Sequence, residues 1–299
     1  MQDPKEQPII YFGLRDASFP NMIKNILEKS KLKPKYIREL TDKKSIKAYS
    51  QAFTAASANP KKNYEIYEQI GDLSANKFIV WYAYRRFPQL NCPLGVKVVA
   101  RLRINYGSRQ SFSTIAGNLG FWPFISADED ERNRKKKDLL EDAMEAFIGC
   151  TEQLLDNKYR PGVGYAIVYD ILSSIFDQID ISLAYNDLYD AKTRIKELFD
   201  AYKDVLGSWA YIDTREELLA ESIIYQVPPG VSNAPLKQRV GPTKKDVIKK
   251  PQPEWVQLGT GKAAKKADAQ QKAAEAGLKK LNKLGWVKEV PEEYNYFCD

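Results

Sequence analysis

Apolar residues recur at helical spacing from residue 18 to residue 179. Short patterns of this kind, such as Met22-Ile23-Ile26-Leu27, occupy residues 18–52. The stretch from Glu65 to Arg86 predicts one long helix in which Ile66, Ile70, Leu73, Phe78, Val80, Trp81 and Tyr84 keep a helical spacing, with Pro88 just past its end. Residues 95–118 read as helical, with Arg101 and Arg103 in mid-segment. The run from Asp128 to Lys137 is dense in charge and expected to be exposed. A second strong helix is predicted from Lys137 to Asn157, its apolar face being Leu139, Leu140, Ala143, Met144, Phe147 and Ile148. A mostly apolar helix follows from Val163 to Ile179. No convincing β-alternation appears before residue 205, so an all-α first domain is expected over residues 1–182.

The pattern then changes. Asp190 to Leu206 predicts an amphipathic helix with Ile195, Leu198, Phe199, Tyr202 and Val205 inward. Ser222 to Val227 reads as a strand, and Glu254 to Leu258 as another. Residues 228–253 hold six Pro and two Gly, the composition of long loops around at most one short strand. Lys262 to Leu284 is an Ala- and Lys-rich helix. Helix, strands, helix make a small α+β domain over residues 190–286, with a flexible linker expected around residues 180–190 and a tail over 287–299. The chain has no internal repeat.

Composition narrows the chemistry. The chain has 299 residues, 43% hydrophobic and 28% charged, an ordinary two-domain globular mix. It has no histidine, which excludes Ser-His-Asp and Cys-His catalysis, a His general base and His-ligated metals. Three scattered cysteines make neither a disulfide framework nor a four-thiolate zinc site, so an intracellular, reducing compartment is expected. The Met1 end has no apolar signal core, and the longest apolar run, Phe78 to Tyr84, is far short of a membrane span. Net charge is +7, and residues 241–290 carry all of it, with 12 Lys against five acids. That asymmetry suggests a polyanion-binding module beside a neutral domain, although a solvated Lys-rich helix face has the same composition.

Two pairs of acids interrupt apolar helix faces. Glu68 and Asp72 are spaced i, i+4, and Asp142 and Glu145 i, i+3, so each pair shares a face. Gly71 and Gly149 lie beside them, costly in helix interiors but permitting close approach of another helix. If the two helices pack, four carboxylates converge, repel and raise one another's pKa values unless a cation intervenes. An all-oxygen set suits Mg²⁺ or Mn²⁺, which can drive in-line phosphodiester displacement. Either pair alone is equally a solvated acidic face.

The segment Asn63-Tyr64-Glu65-Ile66-Tyr67-Glu68-Gln69-Ile70-Gly71-Asp72 resembles the signature helix of the ribonuclease III family, N-x-E-x-L-E-F-L-G-D. Asp138 to Gly149 resembles that family's second acidic helix, L-x-D-x-x-E-A-x-I-G, and Tyr84-Arg85-Arg86-Phe87-Pro88 and Arg101-Leu102-Arg103 fall where the family has similar residues. The resemblance covers roughly residues 20–180. It implies a ribonuclease III catalytic domain that cuts double-stranded RNA, with Glu68, Asp72, Asp142 and Glu145 as catalytic, metal-binding acids and Glu65 as an accessory acid. It further implies Mg²⁺ dependence with Mn²⁺ as a substitute, 5′-phosphate and 3′-hydroxyl products, and a homodimer that cuts both strands. Gln69 departs from the family's Phe, which inserts into the partner; Tyr67 and Phe78 are the expected substitutes. The segment Phe53-Thr54-Ala55 also lacks the family's His. A non-catalytic duplex-binding protein of the same fold, ribosomal, sequestering or half of a heterodimer, is the competing reading, and the four retained acids argue against it.

The basic end is similar to an α-β-β-β-α double-stranded RNA-binding domain, whose last helix opens G-x-G-x-S-K-K-x-A-x-x-x-A-A. Here Gly259-Thr260-Gly261 precedes Lys262, Lys265 and Lys266, with Ala269, Ala273, Ala274 and Leu278 inward. A helix N-terminus flanked by Lys makes a phosphate site suited to an A-form duplex. Residues 190–198, with Lys192 and Arg194, resemble the first helix, and Gly241-Pro242-Thr243-Lys244 resembles the minor-groove loop, with Lys244 in place of the usual His. The Gly-to-Lys-Lys spacing is longer than usual, and residues 207–221 read as an insertion.

Overall fold

In the computed structural model, residues 8–240 and 247–295 are described. The chain divides into two compact units, residues 1–181 and 182–299. The first is built from helices α1 (Ser18–Lys29), α2 (Pro34–Leu40), α3 (Lys43–Ala52), α4 (Glu65–Arg86), α5 (Gly95–Tyr106), α6 (Arg109–Asn118), α7 (Glu129–Arg134), α8 (Lys136–Lys158) and α9 (Val163–Phe176). Two short strands, β1 (Ile10–Tyr11) and β2 (Ala127–Asp128), pair antiparallel and depart from the all-α expectation. Residues 95–118 form two helices, because the chain turns at Gly107 and Ser108 caps α6 by accepting from the Ser111 amide.

α8 is the axis of this unit. Leu139, Leu140, Ala143, Met144, Phe147 and Ile148 are all buried, as the periodicity predicts. Each large side chain so buried contributes roughly 1.5–3 kcal/mol. α4 packs along α8, and only some of its helically spaced apolar residues face inward. Tyr67, Gly71, Ser74, Ala75, Phe78, Ile79 and Tyr82 are buried, whereas Ile66, Leu73 and Trp81 are 57%, 65% and 51% exposed. Small residues let α4 lie close to α8, which turns its bulky aliphatic stripe outward. The burial of Tyr67 and Phe78 also removes them as substitutes for a partner-inserted residue at Gln69.

The second unit contains α10 (Tyr185–Leu188), α11 (Ala191–Ala201), α12 (Lys203–Leu206), β3 (Ser208–Glu216), β4 (Leu219–Val227), β5 (Leu236–Arg239), β6 (Val247–Lys250), β7 (Val256–Ala263), α13 (Lys266–Lys283) and α14 (Glu292–Asn295). Strands β3, β4 and β7 form an antiparallel sheet in that order, and β5 and β6 pair separately. Ile195, Leu198, Phe199, Ile224, Leu258, Ala273, Ala274 and Leu281 form the core between helices and sheet.

The second unit departs from its sequence pattern at several points. The segment expected as a flexible linker carries α10, whose Tyr185 packs against Tyr189 and Tyr294. The helix predicted to Leu206 breaks after Ala201, and Val205 is exposed. Residues 208–216, read as inserted, are the sheet's first strand, paired from Ser208↔Val227 to Glu216↔Leu219. Two short strands stand where at most one was expected. Gly259 and Gly261 do not open a helix. They lie in β7, where an added β-carbon would come within 2.4 Å of the Ala273 carbonyl oxygen and 2.2 Å of the Ala269 carbonyl oxygen, respectively. The glycines serve strand–helix packing, and α13 starts only at Lys266.

Candidate active site

α4 and α8 cross where each carries a glycine. A β-carbon on Gly71 would stand 1.8 Å from the Glu145 carbonyl oxygen, and one on Gly149 2.0 Å from that of Tyr67. The helices therefore meet backbone to backbone, and the side chains beside the crossing share a narrow space. Glu68 and Asp72 enter it from α4, Asp142 and Glu145 from α8.

The electrostatics record the crowding. The Glu145 side chain is acted on by Asp72, Glu141, Glu68 and Asp142, and Glu68 by Asp142, Glu65, Glu141 and Asp72. Glu145 is only 7% exposed, and among the described residues its carboxylate has no hydrogen-bond or ion-pair partner. Burial first, and the neighbouring carboxylates second, push its carboxyl up to about 8. The same causes push Glu68 up to about 7. Burial also raises Asp142, opposed by the Tyr64 hydroxyl, which donates to Asp142 Oδ2 at 2.6 Å.

Neutral and cationic donors hold the rim. Asn76 Nδ2 donates to Asp72 Oδ1 at 2.7 Å, and Arg103 Nη1 donates to Asn76 Oδ1 at 3.2 Å. Arg109 pairs with Glu141 at 2.6 Å and with Asp138 at 3.0 Å. Sequence reasoning missed Tyr64, Asn76, Arg109 and Glu141. Asn76 was legible, one helical turn beyond Asp72. Tyr64 and Arg109 were not, because their partners lie 78 and 32 residues away in the chain.

A buried carboxylate without a donor, in an all-oxygen set of like charges, fits a hard divalent cation. Among the described residues no three acids or thiols stand in a ready-formed coordination arrangement. Like charges at this spacing repel.

Of the basic candidates of the second unit, Lys192 and Lys266 meet in one polar network through Gln270 and Asp213, whereas Lys262 and Arg194 have other partners. Lys262 lies on β7 and pairs with Glu221 at 3.3 Å; Lys266, the first residue of α13, pairs with Asp213 at 2.8 Å. Lys265 is exposed at the N-cap of α13. Lys192 Nζ donates to Gln270 at 2.7 Å, and Arg194 Nη1 to Asn186 at 2.8 Å. Lys244 lies outside the described residues.

Residues 65–152, which span both acidic helices, match the Ribonuclease III domain. A putative ribonuclease 3 of Invertebrate iridescent virus 6 is 41% identical over 302 residues, covering 97% of this chain and 96% of that relative. The chain belongs to the ribonuclease III family. A putative ribonuclease 3 of Frog virus 3 (isolate Goorha) is 46% identical over 193 residues, 64% of this chain and 51% of that protein. Ribonuclease 3 of Limosilactobacillus fermentum (strain NBRC 3956 / LMG 18251) is 29% identical over 241 residues, 78% of this chain and 88% of that protein. Membership makes the chain an endoribonuclease, a hydrolase acting on double-stranded RNA, in a family of divalent-metal-dependent enzymes. Among the described residues no helix is long and apolar enough to cross a membrane.

Proposed function

We propose that this chain hydrolyses phosphodiester bonds of duplex RNA at the α4–α8 crossing, with Glu68, Asp72, Asp142 and Glu145 holding Mg²⁺, for which Mn²⁺ can substitute. The observation that carries this reading is the buried, unpartnered Glu145 carboxylate among four other acids. When bound, the cations supply charge neutralisation, water activation and stabilisation of the departing oxygen of an in-line displacement, leaving 5′-phosphate and 3′-hydroxyl ends. The chain's own residues set the geometry. The glycine crossing fixes the two helices, and Tyr64 and Asn76 orient Asp142 and Asp72. Glu65 acts from the entrance as an accessory acid.

Helix α11, the three-stranded sheet β3-β4-β7 and helix α13, together with the lysine-rich stretch 241–290, support the reading of the second unit as a double-stranded RNA-binding module. The exposed stripe Ile66, Leu73 and Trp81, one face of α4, supports a homodimer in which a second copy covers it.

Glu145→Gln tests the acid assignment. Cleavage of a long RNA duplex in Mg²⁺ should fall by at least about a thousandfold, roughly 4 kcal/mol of barrier. EDTA should abolish wild-type cleavage, while duplex binding measured in EDTA stays the same for both proteins. Undiminished cleavage by the variant would falsify the assignment.

A further inference from the structure

We infer that the ribbon β5–β6 is a second duplex-RNA contact of this chain, gripping phosphates through Lys237 and Lys249; the inference rests on the reading of the second unit as an RNA-binding module. The ribbon is inserted between sheet strands β4 and β7, and among the described residues its strands pair only with each other. All of β5 and residues 248–250 of β6 are exposed.

Its register places Lys237 directly opposite Lys249 and Arg239 opposite Val247. Directly opposed residues of an antiparallel pair share a face, so Lys237, Lys249 and Arg239 stand on the same face, the two lysines about 5 Å apart across the strands and Arg239 about 7 Å further along β5. Directly opposed like charges destabilise a two-stranded ribbon, which is marginal alone. Among the described residues neither Lys237 nor Lys249 has an ion pair or side-chain hydrogen bond to offset this. A polyanion lying on this face removes the repulsion.

The base of the insertion is fixed. Trp255 packs on Tyr225, in a second small core with Ile212 and Val227 on the sheet face opposite the helices. Its indole Nε1 donates to the Ser232 carbonyl at 3.0 Å, and Gln252 Nε2 donates to that of Ala234 at 2.9 Å. The ribbon's charge is therefore carried on an anchored support.

Some other parts of the unit are less suited to phosphate. The β3–β4 turn carries Glu216 and Glu217, and Lys262 and Lys266 are already paired with carboxylates. The described ribbon residues include no aromatic, so the stacking platforms that hold single strands are missing there. Cations in a row without stacking groups suit the regular phosphate track of a duplex.

The test uses the full chain in EDTA, with RNA duplex binding measured across a range of NaCl. Lys237→Gln/Lys249→Gln should weaken binding roughly tenfold or more near 0.1 M salt and reduce the slope of log affinity against log salt by about two. Glutamine relieves the cross-strand repulsion, so the variant's melting temperature should not fall. A companion variant, Lys262→Gln/Lys265→Gln, separates the two ideas. If the companion weakens binding and the ribbon variant does not, the ribbon contact is overturned and the module reading stands. If neither variant changes affinity or slope, the module reading falls, and the ribbon contact with it. An equal loss on single-stranded RNA of the same length would overturn the duplex assignment.

Discussion

Both units are held by the same device, glycines that let backbones touch, yet they surround it with opposite chemistry. In the first unit Gly71 and Gly149 bring α4 onto α8, and acids from both helices are trapped beside the contact. In the second, Gly259 and Gly261 bring β7 onto α13, and the lysines stay at the surface, several tied to carboxylates or amides. The first arrangement concentrates like charge where burial makes it costly, which is how a site prepared for cations differs from a surface. The second spreads positive charge in water, where it contributes to long-range attraction rather than to precise placement.

The contrast breaks most severely at the helix crossing. Gly149→Ala should cost about 3 kcal/mol, because the new methyl meets backbone rather than a side chain that can rotate away. Cleavage should be lost together with the first unit's cooperative melting, followed by circular dichroism. Wild-type stability for this variant would mean that the helices are not in backbone contact.

The outer side of the same helix sharpens the comparison. Leu73→Arg places charge on a stripe whose inner counterpart admits no extra atom. Sedimentation at micromolar concentration should shift from dimer to monomer with little change in melting temperature. A variant still dimeric would move the interface off α4.

The smallest effect is a pH dependence. The Glu145 and Glu68 carboxyls rise from the ordinary 4.5 to about 8 and about 7 in the folded chain. Their contribution to stability is complete below about pH 4.5 and is lost as pH rises through 7 to 8. In EDTA the melting temperature at pH 8.5 should therefore lie a few degrees below that at pH 6. Millimolar Mg²⁺ should reverse the drop at pH 8.5 and have little effect at pH 6. A metal-free melting temperature independent of pH over this range would show that the acids are not crowded.

Much of the first unit was legible from local pattern. The 3.6-residue period gave α4 its limits and α8 its apolar face, and the two acid pairs with their glycines marked where the helices meet. That Ile66, Leu73 and Trp81 form an outward stripe was not legible, because hydrophobicity favours burial without naming the partner. The second unit was less legible. Gly259 and Gly261 looked like the opening of the last helix because a glycine's role in packing depends on a helix that follows it in the chain. Ser208 to Glu216 looked like an insertion because edge-strand pairing leaves little periodicity.

By itself the sequence determined the two long acidic helices, which acids share a face and where the lysines concentrate, since each follows from residues within a few turns of one another. Only the tertiary structure decided that Glu145 is buried without a donor, that Tyr64 reaches Asp142 and that Lys237 stands opposite Lys249. These depend on helix crossing and strand register, which are set by close packing between distant segments rather than by local propensity.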